Sequence, residues 1–254
     1  MTISTLPLSG QVAVVVGGGG GIGKAAAGRL ARLGARVALL DRADDAELKR
    51  LADDLPGAGH GGVFAQIDDS ETLVAAASAV QARWGRADIL VNAAGFTKPI
   101  PHKDLDALTD ELIDQMFAVN WRGQFAAIRA FAPLLRQNGQ GLVVNISSIA
   151  ATTGVGSNVA YCALKAGIDV MASCLGRALA PDIRVMNVSP GVVDTTFVPG
   201  RDQAWNDKQA VTTPLRRIGS TEDIAAAIEA CATTLKFSTG TVLQVDGGRH
   251  LGTP

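Results

Sequence analysis

Val12-Ala13-Val14-Val15-Val16-Gly17-Gly18-Gly19-Gly20-Gly21-Ile22-Gly23-Lys24 is the stretch that sets the architecture. An apolar run of strand length enters a glycine-rich turn, and a helical pattern follows with apolar residues at 22, 26, 30 and 33. Two phosphate-cradling patterns fit. Gly18 to Lys24 matches the core of a nucleotide-triphosphate loop, but that motif needs Ser or Thr next to hold magnesium, and Ala25 stands there. The other reading is a dinucleotide loop over Gly17, Gly19, Gly21, Ile22 and Gly23. Its glycines let the backbone turn tightly and approach a pyrophosphate resting on the N-terminus of the next helix. Such a loop demands an acid about 20 residues on, at the end of the second strand. Asp41 is there, after Val37-Ala38-Leu39-Leu40. A carboxylate accepts hydrogen bonds from ribose hydroxyls and repels a 2′-phosphate, so NAD is expected over NADP, with Arg42 softening the preference.

The same alternation continues along the chain. Strands are expected at Val12 to Val16, Arg36 to Leu40, Gly62 to Ile67, Asp88 to Asn92, Gly141 to Ile146, Ile183 to Val188 and Thr241 to Val245. Helical patterns lie between them: Ile22 to Leu33, Ala46 to Leu55, Glu71 to Trp84, about 109–119, 121–137, 157–180 stopped by Pro181, and Glu222 to Thr233. The strands are continuously apolar, which implies a sheet covered on both faces. Strand–helix alternation implies parallel units with right-handed crossovers. The expected fold is α/β: a doubly wound, seven-stranded, mostly parallel sheet in one domain spanning 1–254. Pro190 to Pro214 reads as a long irregular segment, and loops of that length are commonly functional lids.

Composition narrows the class. The apolar fraction is 47% and the net charge −1, without a basic block, so neither nucleic acid nor an anionic membrane is an expected partner. The apolar runs are strand-sized, and Met1 to Pro7 lacks a signal-peptide pattern, so a cytoplasmic protein is expected. Cys162, Cys174 and Cys231 form no C-x-x-C, and His60, His102 and His250 are far apart, so no metal site is expected.

Tyr161, the only tyrosine, precedes Lys165 by four residues. On a helix the phenol and ammonium share a face, one turn apart. A nearby cation stabilises phenolate, so the pair is expected to lower the phenol's pKa and exchange a proton with an alcohol or carbonyl.

Taken together, these runs resemble the short-chain dehydrogenase/reductase family over essentially the whole chain. The glycine loop spans Val16 to Gly23, with Val16 in place of the family's Thr. Asn92-Ala93-Ala94-Gly95 follows the fourth strand, and Asn120 sits on a helix. Ser148 precedes Tyr161 by thirteen residues, and Leu164 stands where Ser often precedes the family lysine. Pro190-Gly191-Val192-Val193-Asp194-Thr195 follows the sixth strand. The resemblance implies a Rossmann fold and four catalytic residues. Tyr161 would be the general acid/base, and Lys165 would lower its pKa and bind the nicotinamide ribose. Ser148 would hold the reacting oxygen, and Asn120 would hold a water in a proton relay. It further implies cofactor contacts from Asp68 and Asp69, from Asn92 to Gly95, and from Pro190, Gly191, Val193 and Thr195. A homotetramer paired through 121–137 and 157–180 is also implied.

For the substrate, Phe96, Ala150, Thr152, Val192, Phe197, Val198 and Trp205 are expected walls. Their small or apolar character predicts a neutral or weakly polar secondary alcohol/ketone pair; no Arg or Lys stands out as placed to grip a carboxylate, Arg201 in the loop being the one option. Two alternatives stand beside this: an NADPH-dependent 3-oxoacyl-[acyl carrier protein] reductase, and a non-catalytic dinucleotide sensor.

Overall fold

The computed structural model describes residues 6–252. The termini of the expected 1–254 domain, and most of the Met1 to Pro7 reading, lie outside them. Seven strands form one parallel sheet: β1 (Val12–Val16), β2 (Arg36–Asp41), β3 (Gly61–Phe64), β4 (Ile89–Asn92), β5 (Gly141–Ile146), β6 (Ile183–Pro190) and β7 (Thr241–Val245). Their spatial order is β3-β2-β1-β4-β5-β6-β7. The chain reverses direction across the sheet between β1 and β4. Open sheets of this kind bind ligands in the crevice at that reversal, outside the carboxyl ends of the strands.

The central strands bury alternate residues in opposite layers. Val12, Val14 and Val16 pack with Leu73, Phe131, Ile168 and Met171, from α3 (Ser70–Trp84), α5 (Gly123–Arg136) and α7 (Val159–Ala178). Ala13 and Val15 pack with Leu30, Leu51 and Ile228, from α1 (Gly21–Arg32), α2 (Asp45–Asp53) and α9 (Thr221–Thr233). A strand buried on both sides has no polar face to show, hence the unbroken apolar runs. By length and composition α7 could cross a membrane, but its Lys165, Ile168, Met171, Ala172 and Gly176 are buried within the fold.

Several boundaries differ from expectation. β3 stops at Phe64 rather than Ile67, because the hydroxyl of Thr72 takes the backbone of Gln66 (2.9 Å from its N, 3.1 Å from its O) away from the sheet. Asp88 starts no strand. Its buried carboxylate instead accepts from Val12 N (2.8 Å) and Arg86 (2.6 and 2.9 Å). The expected helices near 109–119 and 121–137 are α4 (Asp110–Phe117) and α5, joined by a π-helical turn at Ala118–Arg122. The segment Pro190 to Pro214 contains α8 (Gln203–Thr212), begun where Asp202 accepts from Trp205 N at 2.8 Å. A short α6 (Ala150–Thr153) precedes α7.

Candidate active site

A cavity of about 1240 Å³ opens at the carboxyl ends of β1, β4, β5 and β6. At one end lies the glycine loop. Gly17 adopts φ +79°, and a Cβ there would stand 2.6 Å from Ala94 N. A Cβ on Gly23 would collide with the Gly17 carbonyl. Glycine at both lets α1 press against the loop and β4. The family's Thr is absent at 16, yet Gly17 N and Gly18 N both donate to Leu40 O, at 2.8 and 3.2 Å. Backbone bonds therefore brace this loop. Gly20 caps α1 without a side chain, and no acid occupies its first turn, so its leading N–H groups and dipole face the cavity uncompensated. Asp41 ends β2 beside them and accepts from Gly19 N (2.9 Å) and Arg42 N (2.8 Å). That fixes the carboxylate toward the loop. These features fit a dinucleotide: N–H groups for the pyrophosphate and a carboxylate for the ribose.

Among the expected cofactor residues, Gly17, Gly19, Gly21, Ile22, Gly23, Asp41, Arg42 and Asp68 line this end of the cavity. Ala93, Ala94, Gly95, Pro190, Gly191, Val193 and Thr195 line its middle. Asp69 and Asn92 do not. The Asp69 side chain caps α3, accepting from Glu71 N and Thr72 N. Asn92 is fully buried in the sheet and starts an amide ladder across three strands. Its Nδ2 donates to Asn145 Oδ1 (2.9 Å), and Asn145 Nδ2 donates to Asn187 Oδ1 (3.0 Å). Asn187 Nδ2 then donates to Ile168 O (3.0 Å) and Asp169 Oδ1 (2.8 Å) on α7. Val16, Asn92, Asn145 and Asn187 are paired in register.

The reactive end is carried by α6 and α7. Asn158 caps α7, accepting from Tyr161 N at 2.7 Å while donating to Lys98 O at 2.8 Å. This fixes where the helix starts and so where Tyr161 points. Ser148, Tyr161 and Lys165 all line the cavity. Lys165 is 3% exposed; its ammonium donates to Ile146 O at 2.7 Å and lies 5.6 Å from the centre of the Tyr161 ring.

Burial pushes Tyr161 up to about 12, outweighing the Ser148 hydroxyl and the charge of Arg201, which pull it down. Burial also pushes Lys165 down to about 8, opposed by Asp169. Lys165 is buried and Tyr161 half-buried, which spacing alone does not reveal.

Asn120 is anchored through its side chain. Its Nδ2 donates to Phe96 O (2.7 Å) and Met116 O (2.9 Å), and its Oδ1 accepts from Phe96 N (3.1 Å). It does not line the cavity; both amide hydrogens are committed to backbone, tying the segment after β4 to the π-helical turn.

The expected walls Phe96, Ala150, Val192, Phe197, Val198 and Trp205 line the cavity, whereas Thr153 lines it in place of Thr152. The Thr152 hydroxyl donates back to Ile149 O at 3.2 Å. Gln209, Thr212, Arg249 and His250 also line the cavity and were not expected. The first two come from the overlooked α8. The last two follow β7 and carried no recognisable motif.

Comparison with known proteins agrees with this geometry. The family model described as "Enoyl-(Acyl carrier protein) reductase" matches residues 17–250. A Streptomyces violaceoruber protein provisionally named ketoacyl reductase 2 of the granaticin polyketide synthase is 37% identical over 94% of this chain and 96% of its own. The chain belongs to the short-chain dehydrogenase/reductase family. D-threitol dehydrogenase of Mycolicibacterium smegmatis is 36% identical to this short-chain dehydrogenase/reductase, over 95% of this chain and 93% of that one. A Brucella melitensis structure titled as a short-chain dehydrogenase/reductase of glucose/ribitol dehydrogenase type superimposes with TM-score 0.89 at 28% identity, covering 96% and 98% of the two chains. The protein is thus an oxidoreductase of this family, whose cofactors are nicotinamide dinucleotides.

Proposed function

We propose that the protein transfers hydride between NAD(H) and a secondary alcohol/ketone substrate, with Tyr161 as general acid/base. The observation that carries this reading is one continuous cavity holding Asp41 and the glycine loop at one end and Ser148, Tyr161 and Lys165 at the other. The nicotinamide, when bound, supplies hydride chemistry. The chain supplies position and proton. The Ser148 hydroxyl donates to the reacting oxygen, and Tyr161 gives it a proton in reduction or takes one in oxidation. A phenol held near 12 stays protonated at neutral pH, the form reduction requires. For oxidation the phenolate must be reached. Lys165 and the positive charge of an oxidised nicotinamide both favour it, and so offset part of the burial cost.

NAD is favoured because Asp41, held by two backbone amides, faces the ribose position. Pairing of copies through α5 and α7 is part of the same proposal, supported by Val159 and Val170 standing exposed on α7. A cytoplasmic location is likewise proposed, since the membrane-length helix α7 is spent on packing.

The test is a panel of secondary alcohols at fixed NAD+, read as NADH absorbance. Wild type should turn over at least one, and Tyr161→Phe should lose about 100- to 10,000-fold while still binding NAD+. If both were silent while NAD+ bound equally, the protein would be a dinucleotide sensor. A second reading, reduction of a 3-oxoacyl thioester, is favoured by the name of the granaticin relative. Faster turnover of an acetoacetyl thioester with NADPH than of simple ketones with NADH would select it.

A further inference from the structure

The cavity holds a cation that the proposed hydride transfer does not use. Arg201 lies on the segment between β6 and α8, four residues after Phe197, whose ring centre is 6.3 Å from that of Tyr161. Its guanidinium stacks over the Trp205 ring at 4.2 Å, which fixes its plane against the first turn of α8. It lines the reactive end of the main cavity and also a side lobe of about 370 Å³ bounded by Pro99, His102 and Pro199.

Among the described residues, two arginines lining the cavity have no protein acceptor for the side chain, Arg42 and Arg201, and only Arg201 is half-buried. Arg249 donates to Gln209 O (3.2 Å), Thr212 Oγ1 (3.1 Å) and Thr213 Oγ1 (3.3 Å). Arg42 is exposed to solvent at the adenosine end. Arg201 is half-buried, and among the described residues it makes no ion pair and donates no hydrogen bond. Burial disfavours its charge, Tyr161 opposes this in part, and the like charge of Arg249 adds to the burial effect. A guanidinium has five donors in a planar fork that matches a carboxylate with two parallel bonds. Removing such a group from water without a partner is costly, so its placement makes sense when a ligand supplies the acceptor.

We propose that Arg201, backed by Trp205, binds a carboxylate of the substrate, so that the physiological pair is a hydroxy acid and an oxo acid rather than a neutral alcohol and ketone. The inference rests on the proposed hydride transfer. It places the reacting oxygen at Ser148 and Tyr161 and the carboxylate toward the side lobe, away from the glycine loop. It revises the neutral substrate expected from the wall residues, because spacing alone could not show that Arg201 turns into the cavity.

The experiment compares acetoacetate, 4-oxopentanoate and 5-oxohexanoate with their methyl esters, using NADH, in wild type, Arg201→Gln and Arg201→Lys. The best acid should exceed its ester in kcat/KM by 10-fold or more in wild type. Arg201→Gln should lower that acid-to-ester ratio by about 10- to 150-fold, mainly through KM, as loss of a charged hydrogen bond predicts. Arg201→Lys should recover part of it. NADH affinity, measured by fluorescence, should follow none of these changes. Wild type that prefers the esters, or a ratio unmoved by Arg201→Gln, overturns the carboxylate site and leaves the hydride-transfer reading intact. If neither acids nor esters react, hydride transfer is in question instead. The carboxylate site is then judged by titrating 5-oxohexanoate into the NADH complex while following tryptophan fluorescence. Saturable binding lost in Arg201→Gln supports it, and no binding, or binding unchanged in the variant, overturns it.

Discussion

The backbone amide of Gly19 donates to Oδ2 of Asp41 at 2.9 Å, across the gap between the β1–α1 loop and the end of β2. The acid proposed to distinguish the two dinucleotides is therefore held by the loop that would bind their pyrophosphate. Asp41→Ser removes the charge that repels a 2′-phosphate and leaves Arg42 beside it. The ratio of kcat/KM with NADP+ to that with NAD+ should rise at least 10-fold, with the NAD+ value falling about 10-fold. Steady-state kinetics with each cofactor checks this; an unchanged ratio would place the ribose elsewhere.

Lys165 makes stability depend on pH. Its folded pKa, about 8, lies below the ordinary lysine value of 10.5. Between those values the unfolded chain binds the proton more often than the folded one, so stability rises with pH through this window. Without cofactor, wild type should gain up to about 3 kcal/mol relative to Lys165→Met between pH 8 and 10.5. Urea unfolding of both proteins at several pH values measures it, and parallel curves would refute it.

Asn145 sits between two partners that have no water to turn to. Asn145→Leu keeps the branching but strands Asn187 Oδ1 and leaves Asn92 Nδ2 only the long bond to Gln124 O (3.5 Å). One buried polar atom unpaired and a second weakly paired should cost roughly 3 kcal/mol. The urea midpoint should drop with an unchanged slope, whereas a surface change such as Lys49→Gln should hardly move it.

Asn120→Ala tests whether that side chain positions structure or holds water. The loss of three hydrogen bonds between Phe96, Met116 and the helix should lower stability by about 1–3 kcal/mol. The pH profile of kcat should keep its shape while KM rises. A shifted profile with unchanged stability would restore the relay role.

Patterns that depend on repetition were readable from the sequence. Seven apolar runs gave all seven strands, and the glycines with Asp41 gave one end of the cavity, because steric demand and charge there leave few residue choices. Features set by the third dimension were not. Asp69 and Asn92 carry the same polar groups whether they face a ligand or a neighbour, and only the fold shows that one caps a helix and the other joins a ladder. α8 was hidden because between its flanking prolines it has just Trp205 and Val211 as large apolar residues, too few for a period. Neither the Tyr161 shift nor the direction of Arg201 could be seen, since both depend on how much solvent the completed cavity admits.

The wider turn at Ala118–Arg122 has a geometric effect beyond the bonds of Asn120. A turn closed by i→i+5 bonds takes in one residue more than an α-turn, so the apolar period read along the sequence slips by one residue, about 100°, across it. Phe131 and Leu135 reach the sheet only after this phase change. The surplus residue is absorbed locally, so the apolar stripe of α5 meets the sheet although its period in the sequence is broken at this turn.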